Sequence, residues 1–117
     1  MLPRIAAAGL MVLLASQEPL LAQEEAQRAQ PASLRVEVVA GETQQAVADA
    51  EVKIHLESTE IEFSRTGWTK EDGAAVFSEV PRGKIRLQVI HKDWQTHGEF
   101  FVLNQAQQTA RVILKKD

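Results

Sequence analysis

Residues Trp68–Val89 read WTKEDGAAVFSEVPRGKIRLQV and carry the clearest strand and turn signals of the chain. It contains two turn signals. At Lys70–Gly73 the Asp-Gly pair favours a tight turn, because both residues tolerate positive φ. At Pro81–Lys84 the proline pre-sets φ and the glycine supplies a left-handed position. Ala74–Val80 lies between the turns and Lys84–His91 follows them, so the stretch predicts three strands joined by two turns.

Alternation of apolar and polar residues predicts further strands outward from this stretch. They are expected at Ser33–Ala40, Glu51–Glu57, Glu99–Leu103 and Thr109–Leu114. The strand that enters the first turn is expected to run over Ile61–Thr69, and Gly67 weakens it. About seven short strands without a convincing helix are typical of an antiparallel β-sandwich.

The amino-terminal residues have the pattern of a signal peptide. Arg4 is a short positive region, and the apolar run Ile5–Ala15 is too short to span a bilayer, which argues against the alternative of a membrane anchor. Cleavage after Ala22 would divide the chain into a signal peptide at 1–22, a flexible Gln- and Ala-rich linker at 23–32 and a sandwich domain at 33–117. We therefore expect a periplasmic or secreted protein with no transmembrane segment after removal of the leader.

Composition restricts the possible partners and the source of stability. The chain has 117 residues and a net charge of −3, which gives no electrostatic footprint for nucleic acid. It has no cysteine, so an exported domain must be stabilised by its core rather than by disulfides. These features favour one small domain in a bacterial periplasm or at the cell surface.

Several stretches resemble, in order, the motifs of a known family. They are Val47–Val52 at the entry to the second strand, the Thr69–Gly73 turn, Phe77, Val80–Lys84, the strand Ile85–Val89 and Trp94. On these residues the chain resembles the carboxypeptidase regulatory-like domain of the transthyretin-like, or prealbumin-like, superfamily, from Leu34 to Leu114. The resemblance implies an accessory domain that is not itself catalytic. It implies an all-β fold, a seven-stranded antiparallel Greek-key β-sandwich of prealbumin-like or Ig-like type.

The shared phase of the strands, with the family's aromatic position, predicts one core between two sheets. Its expected members are Leu34, Val36, Val52, Ile54, Leu56, Val76, Ile85, Leu87, Val89 and Trp94.

Two chemistries of related sandwiches are not expected. The chain ends Leu114-Lys115-Lys116-Asp117 and contains no Tyr, whereas transthyretin-like hydroxyisourate hydrolases end in a Tyr-Arg-Gly-Ser motif. The first strand, Ser33–Ala40, has no Lys, which the Lys–Asn isopeptide bonds of related pilin-type sandwiches would need.

A group of His and acidic residues could in principle bind zinc. His91, Asp93, His97 and Glu99 lie within nine positions. The alternative is a polar loop that caps the sandwich, and we prefer it because H-x5-H is not an established ligand spacing. We expect no metal site and no cofactor.

No catalytic constellation is recognisable. Asp49 and Asp72 could be paired for acid–base work, but a turn role for Asp72 and a loop role for Asp49 explain them as well. The serines lack a nucleophile motif. We expect no catalytic residues.

Trp68 is the candidate binding residue, with Arg65 and Lys70 beside it in sequence. Its phase places it with Ser64 and Thr66, where it could lie on an outer sheet face and anchor a protein or a sugar ring. The alternative is a half-buried Trp68 that packs against Arg65 or Lys70.

Three functions follow, in order of preference. The first is a non-enzymatic exported module with a protein-binding or structural role in the cell envelope. The second is an accessory module that binds carbohydrate, and the third is a hydrolase or metal-dependent peptidase. The expected partner is another envelope protein or a glycan, and the sequence does not decide the oligomeric state.

Overall fold

Seven β-strands follow one another in the computed structural model, which describes residues 30–116. The strands are β1 (Ala32–Ala40), β2 (Glu51–Leu56), β3 (Ser64–Trp68), β4 (Ala74–Val80), β5 (Gly83–His91), β6 (Trp94–Leu103) and β7 (Gln107–Leu114). The signal peptide predicted at 1–22, and the linker up to residue 29, lie outside the described residues. Within the described part of the chain, no helix has the length and apolarity needed to cross a membrane.

The strands form two sheets, which confirms the predicted all-β sandwich. One sheet has the order β4-β1-β7 and the other the order β3-β2-β5-β6. The expectation of a wholly antiparallel fold is wrong for one pair, because β1 and β7 run parallel from Ser33 opposite Gln107 to Ala40 opposite Leu114. Alternation within a strand reports which face is buried and carries no information on the direction of its neighbour.

The core lies between the sheets and contains most of the predicted residues. Leu34, Val36, Val52, Ile54, Leu56, Ile85, Leu87 and Val89 are all buried. Trp94 is half-buried and packs against this core. The prediction for Val76 is wrong, because that side chain is 64% exposed.

The packing of Phe77 explains why Val76 does not face the core as predicted. In β4, Ala75 and Phe77 pack in the core and Val76 between them is exposed, so the inward phase is shifted by one position from the predicted one. Ala74 and Val80, at the two ends of the strand, are buried as well. Gly67 faces Phe77, and a Cβ built on Gly67 would lie 3.1 Å from the aromatic ring. The missing side chain of Gly67 therefore makes room for the phenyl ring, and the larger Phe77 sets the phase of β4.

Both turn glycines have positive φ, as predicted. Gly73 has φ 76° and Gly83 has φ 142°. At Gly73 a Cβ would lie 2.7 Å from the carbonyl oxygen of Val38, so both the backbone angle and the available space favour glycine. The preceding Asp72 accepts a 3.0 Å hydrogen bond from the amide of Ala74, which gives this carboxylate the expected turn role.

Two strands contain an extra residue opposite their partner. In β4, Ser78 and Glu79 together oppose one residue of β1, and Glu79 has φ 55°. In β6, Gln95 and Thr96 oppose one residue of β5. The strand β6 begins at Trp94, five residues before the predicted Glu99, because a short turn after His91 leads directly into it. Such bulges redirect neighbouring groups, and here the amide of Gln95 bonds the carbonyl of Lys115 at 2.8 Å.

Thr69 fixes the chain immediately after β3. It is 2% exposed, and its hydroxyl donates to the carbonyl of Val47 at 2.7 Å while accepting from the amide of Ala50 at 2.9 Å. The Thr69 amide also bonds the Ala50 carbonyl at 2.9 Å. These bonds join the loop before β2 to the end of β3, and so they hold the backbone next to Trp68 in place.

Candidate functional site

Two edge strands meet along one side of the sandwich. β3 is the outer strand of the four-stranded sheet, β4 is the outer strand of the three-stranded sheet, and the two are in contact. An edge strand has backbone groups on one side that no neighbour in its own sheet pairs. This side of the molecule is therefore where a partner can approach both sheets at once.

A groove of about 340 Å³ lies on this side, and Trp68 is one of its walls. We call it the edge groove and define it by Arg35, Trp68, Lys70, Asp72 and Val76. Trp68 is 57% exposed, so the open question of its burial is answered in favour of the exposed position. Val76 also lines the groove, which puts two exposed apolar side chains in one depression.

Strand register explains how these side chains come to face outward. Trp68 is the last residue of β3 and pairs with Glu51, whose side chain is also outside the core. Val76 pairs with Arg35 on the outer face of the other sheet. The two apolar residues thus belong to different sheets, and only the contact between the edges of β3 and β4 brings them to a common groove.

Arg35 supplies a fixed positive charge. Its Nε donates to Glu37 Oε2 at 3.0 Å, and its Nη2 donates to Asp72 Oδ2 at 3.5 Å. The hydrogen bond to Glu37, with the nearby charge of Asp72, raises the pKa of Arg35 above its usual value, so the guanidinium stays protonated at physiological pH. Because these groups are well exposed, the ion pairs orient the side chains more than they stabilise the fold.

Lys70 is the second predicted residue that lines the groove. Its backbone is fixed by the turn, since its amide bonds the carbonyl of Ala74 at 3.1 Å and its carbonyl accepts from the amide of Gly73 at 2.8 Å. The side chain is exposed. Among residues 30–116 no carboxylate lies within ion-pair distance of its ammonium group, which leaves that charge available to a ligand.

Arg65, the third predicted binding residue, does not line the groove. It faces inward from β3, and its Nη1 donates a 2.6 Å hydrogen bond to the carbonyl of Ser78 in the β4 bulge. Its guanidinium also lies 5.1 Å from the centre of the Phe63 ring. The structure therefore separates Arg65 from Trp68 and Lys70 and makes it a link between the two edge strands.

The possible zinc ligands form two separate pairs. His97 Nε2 lies 3.0 Å from Glu99 Oε1, whereas His91 Nδ1 accepts a 3.1 Å hydrogen bond from the amide of Asp93. Between residues 30 and 116 no group of three or more His, Cys, Asp or Glu side chains is arranged to hold a metal ion.

The residues considered for acid–base or nucleophilic chemistry are also dispersed. Asp49 lies in the loop before β2 with φ 61°, where its amide bonds the carbonyl of Thr69 at 2.9 Å. His55 Nδ1 lies 2.7 Å from Ser64 Oγ on the outer face of the four-stranded sheet. Among the described residues no carboxylate makes a hydrogen bond or ion pair with the His55 ring.

Sequence reasoning missed Arg35 and Val76 as residues of the groove. The alternation of β1 indicates that Arg35 faces outward, because Leu34 and Val36 on either side are buried. It does not indicate that β4 is the neighbour of β1, and this pairing is what puts Arg35 opposite Val76. Contacts between strands distant in sequence carry no local signal.

Comparisons with known proteins place the chain by fold alone. No protein-family model matches the sequence, and no curated protein matches it either. Solved structures do match. The minor pilin of Streptococcus agalactiae superposes with a TM-score of 0.61 and 14% identity, over 76% of this chain and 46% of the pilin. The major pilin subunit of Bacillus cereus superposes with a TM-score of 0.57 and 13% identity, over 75% and 31%.

An enzyme has a similar fold. 3-Chlorocatechol 1,2-dioxygenase from Rhodococcus opacus superposes with a TM-score of 0.64 and 11% identity, over 76% of this chain and 61% of the dioxygenase. The chain thus spans less than two thirds of the length of each of these three structures. At these identities the pilin and dioxygenase structures show a shared fold and no activity.

Proposed function

We propose that this domain is a non-enzymatic module of an exported bacterial protein and that it binds another protein of the cell envelope through the edge groove. The observation that carries the proposal is the exposure of Trp68, at 57%, beside the exposed Val76 in a single groove. A partner that covers both side chains removes apolar surface from water, and a buried Trp is among the residues that contribute most to binding.

The charges around the groove define the chemistry of the partner. Lys70 offers a cationic group at the groove, whereas Arg35 is already paired with Glu37 and Asp72. A protein segment with an apolar side chain flanked by an acidic group would fit, with the apolar group against Trp68 and the carboxylate near Lys70. Polar groups at the rim would then exclude water from the aromatic contact.

Arg65 has a supporting role in this proposal. Its hydrogen bond occupies the carbonyl of Ser78, so a partner cannot pair with the backbone of β4 at that point. Binding would therefore rely on side-chain contacts at Trp68 and Val76 rather than on the addition of a strand to the β4 bulge.

A carbohydrate ligand is the second candidate, and it rests on the same residues. An exposed indole can contact the apolar face of a sugar ring, and Lys70 and Asp72 could hydrogen-bond its hydroxyl groups. The protein partner is preferred because Val76 extends the apolar surface beyond Trp68 onto the second sheet.

The hydrolase or metal-dependent peptidase remains the third candidate. Its strongest support is the contact between His55 and Ser64, which lies on an open sheet surface without a carboxylate to orient the imidazole among the described residues. The same fold occurs in pilins and in dioxygenases, so the fold favours neither an enzyme nor a binding module.

The proposal extends to family and location. The motif resemblance from Leu34 to Leu114 supports a carboxypeptidase regulatory-like domain with Greek-key connections, and the pattern at 1–22 supports export to the periplasm or medium. Intact mass of the protein recovered from the periplasm or medium of an expressing bacterium tests the export. A chain that begins at Gln23, or within a few residues of it, supports the leader, and an unprocessed chain that stays with the membrane contradicts it.

The binding proposal is tested by capture of envelope proteins with wild-type and Trp68→Ala domains. The matched control is Ile113→Ala, which also removes an exposed apolar side chain but lies on β7, away from the edge groove. We expect the same proteins with the wild type and the control, and their loss with Trp68→Ala. Equal recovery with all three variants contradicts the assignment. If purified envelope polysaccharide binds in place of protein, and Trp68→Ala abolishes that binding, the carbohydrate candidate is correct.

A further inference from the structure

The outer surface of β5 and β6 has a second exposed apolar group, which lies apart from the edge groove. Phe100 is 55% exposed and Val102 is 57% exposed. Their partners on β5 are Arg86 and Lys84, respectively. We call these four side chains the β5–β6 face.

This face is cationic. Lys84 Nζ lies 4.9 Å from the centre of the Phe100 ring, and between residues 30 and 116 it has no carboxylate within ion-pair distance. Arg86 Nε lies 3.7 Å from Glu57 Oε1, in a solvent-exposed pair that contributes little to stability and can be exchanged for another partner. The unpaired Lys84 leaves this face with a net positive charge, in a protein whose overall charge is −3. A partner must therefore combine apolar and acidic groups.

The chain itself presents that combination. Ile61 is 51% exposed, and it lies between Glu60 and Glu62, which are also exposed. We call Glu60–Glu62 the acidic loop. No basic side chain in the described part of the chain forms an ion pair with Glu60 or Glu62. The acidic loop and the β5–β6 face thus have opposite charge, and each has exposed apolar side chains.

Both surfaces lie at the same end of the four-stranded sheet. Leu56, the last residue of β2, pairs with Ile85 near the start of β5, and the amide of Glu57 bonds the carbonyl of Lys84 at 2.9 Å. The acidic loop follows directly from this point. When complementary surfaces adjoin on one molecule, a two-fold axis can place each loop on the face of the other copy, and the contact closes as a dimer.

We propose that a second copy of this chain covers the β5–β6 face, with the acidic loop of each copy against the face of the other. Ile61 would contact Phe100 and Val102, while Glu60 and Glu62 would lie near Lys84 and Arg86. Both halves of the interface are identical, so every charge pair occurs twice. An anionic lipid surface is the competing occupant, because it too offers negative charge next to apolar groups.

Two charge-reversed variants test the proposal. The face variant carries Lys84→Glu and Arg86→Glu, and the loop variant carries Glu60→Lys and Glu62→Lys. All four side chains are exposed, so both variants should fold, which circular dichroism checks. Sedimentation over a concentration series measures self-association. We expect the wild type to dimerise, more weakly as salt is added, and each variant alone to associate about tenfold more weakly or worse.

The mixture of the two variants gives the decisive result. In a mixed dimer the acidic face meets the basic loop, and the unchanged acidic loop meets the unchanged basic face, so both contacts are attractive. We expect the mixture to form a one-to-one heterodimer although neither variant dimerises alone. The proposal is wrong if the wild type stays monomeric throughout, or if the mixture does not associate. It is also wrong if the monomer binds phosphatidylglycerol vesicles and loses that binding in the face variant but not in the loop variant.

Discussion

Arg65 Nη1 donates a 2.6 Å hydrogen bond to the carbonyl oxygen of Ser78, and this bond joins the two edge strands of the sandwich. Arg65 lies on β3 and Ser78 in the bulge of β4, so the contact spans the two sheets. Inward-facing charge on an edge strand is a known way to prevent unwanted strand pairing. The bond therefore both links the sheets and protects the β4 edge.

Replacing Arg65 by Ala should reduce stability modestly. The change removes one charge-assisted hydrogen bond and the contact with Phe63, and because the site is exposed we expect a loss of about 1 kcal/mol in the free energy of unfolding. Urea unfolding measures it, with Lys53→Ala as the control on the outer face of β2. A variant with unchanged stability that fails to capture the partner would mean that Arg65 contacts the ligand and does not link the strands.

Thr69→Val should be more costly. The valine cannot bond the carbonyl of Val47 or the amide of Ala50, and both groups would be left without a partner in a buried site. We expect a loss of about 2 kcal/mol or more. Thr66→Val, on the exposed surface of the preceding strand β3, should change stability by less than about 0.5 kcal/mol. Equal effects of the two substitutions in thermal unfolding would disprove the role given to Thr69.

Gly73→Ala tests the first turn. The new Cβ would meet the carbonyl of Val38 at 2.7 Å, at a φ of 76° that residues with a side chain adopt at a cost. We expect a loss of about 2 kcal/mol or more in the free energy of unfolding. Gly98→Ala is the matched control, since the nearest atom to its Cβ would be 4.0 Å away. Chemical denaturation that gave equal midpoints for both variants would rule out strain at Gly73.

Leu87→Ala tests the core. Leu87 is fully buried at the centre of the four-stranded sheet, and truncation leaves a cavity in addition to the lost transfer energy. We expect a loss of about 2–5 kcal/mol, measured by urea unfolding. Val76→Thr should have little effect because Val76 is exposed. If the thermal midpoint of Leu87→Ala matched that of the wild type, the core assignment would be wrong.

The sequence predicts the strands that alternate strictly and the turns that need glycine. Leu34, Ile54 and Leu87 face the core as their period of two requires, and Gly73 and Gly83 have positive φ. It fails at Val76, because the four successive residues Ala74–Phe77 are all apolar and give no alternation. The choice between Val76 and Phe77 as the inward residue depends on the space left by Gly67 across the sandwich.

The candidate site is predicted only in part, because the sequence indicates residues that are close along the chain and not those that the fold brings together. Trp68 and Lys70 lie close in sequence and line one groove. Arg65 is equally close in sequence but faces the opposite side of β3, where it reaches Ser78. Arg35 and Val76 join the groove through the pairing of β1 with β4 and the contact of β4 with β3, which are properties of the whole fold.

If Trp68 anchors the binding surface, its indole must lose contact with water when a partner binds, and its fluorescence reports that change. In a Trp94→Phe background Trp68 is the single indole among residues 30–116, and the full sequence contains no other tryptophan. Titration with the envelope fraction recovered in the capture experiment should shift its emission to shorter wavelength, because the indole loses contact with water. The shift should saturate and should persist in Ile113→Ala. An emission spectrum that does not change while the fraction binds would show that the partner contacts another surface.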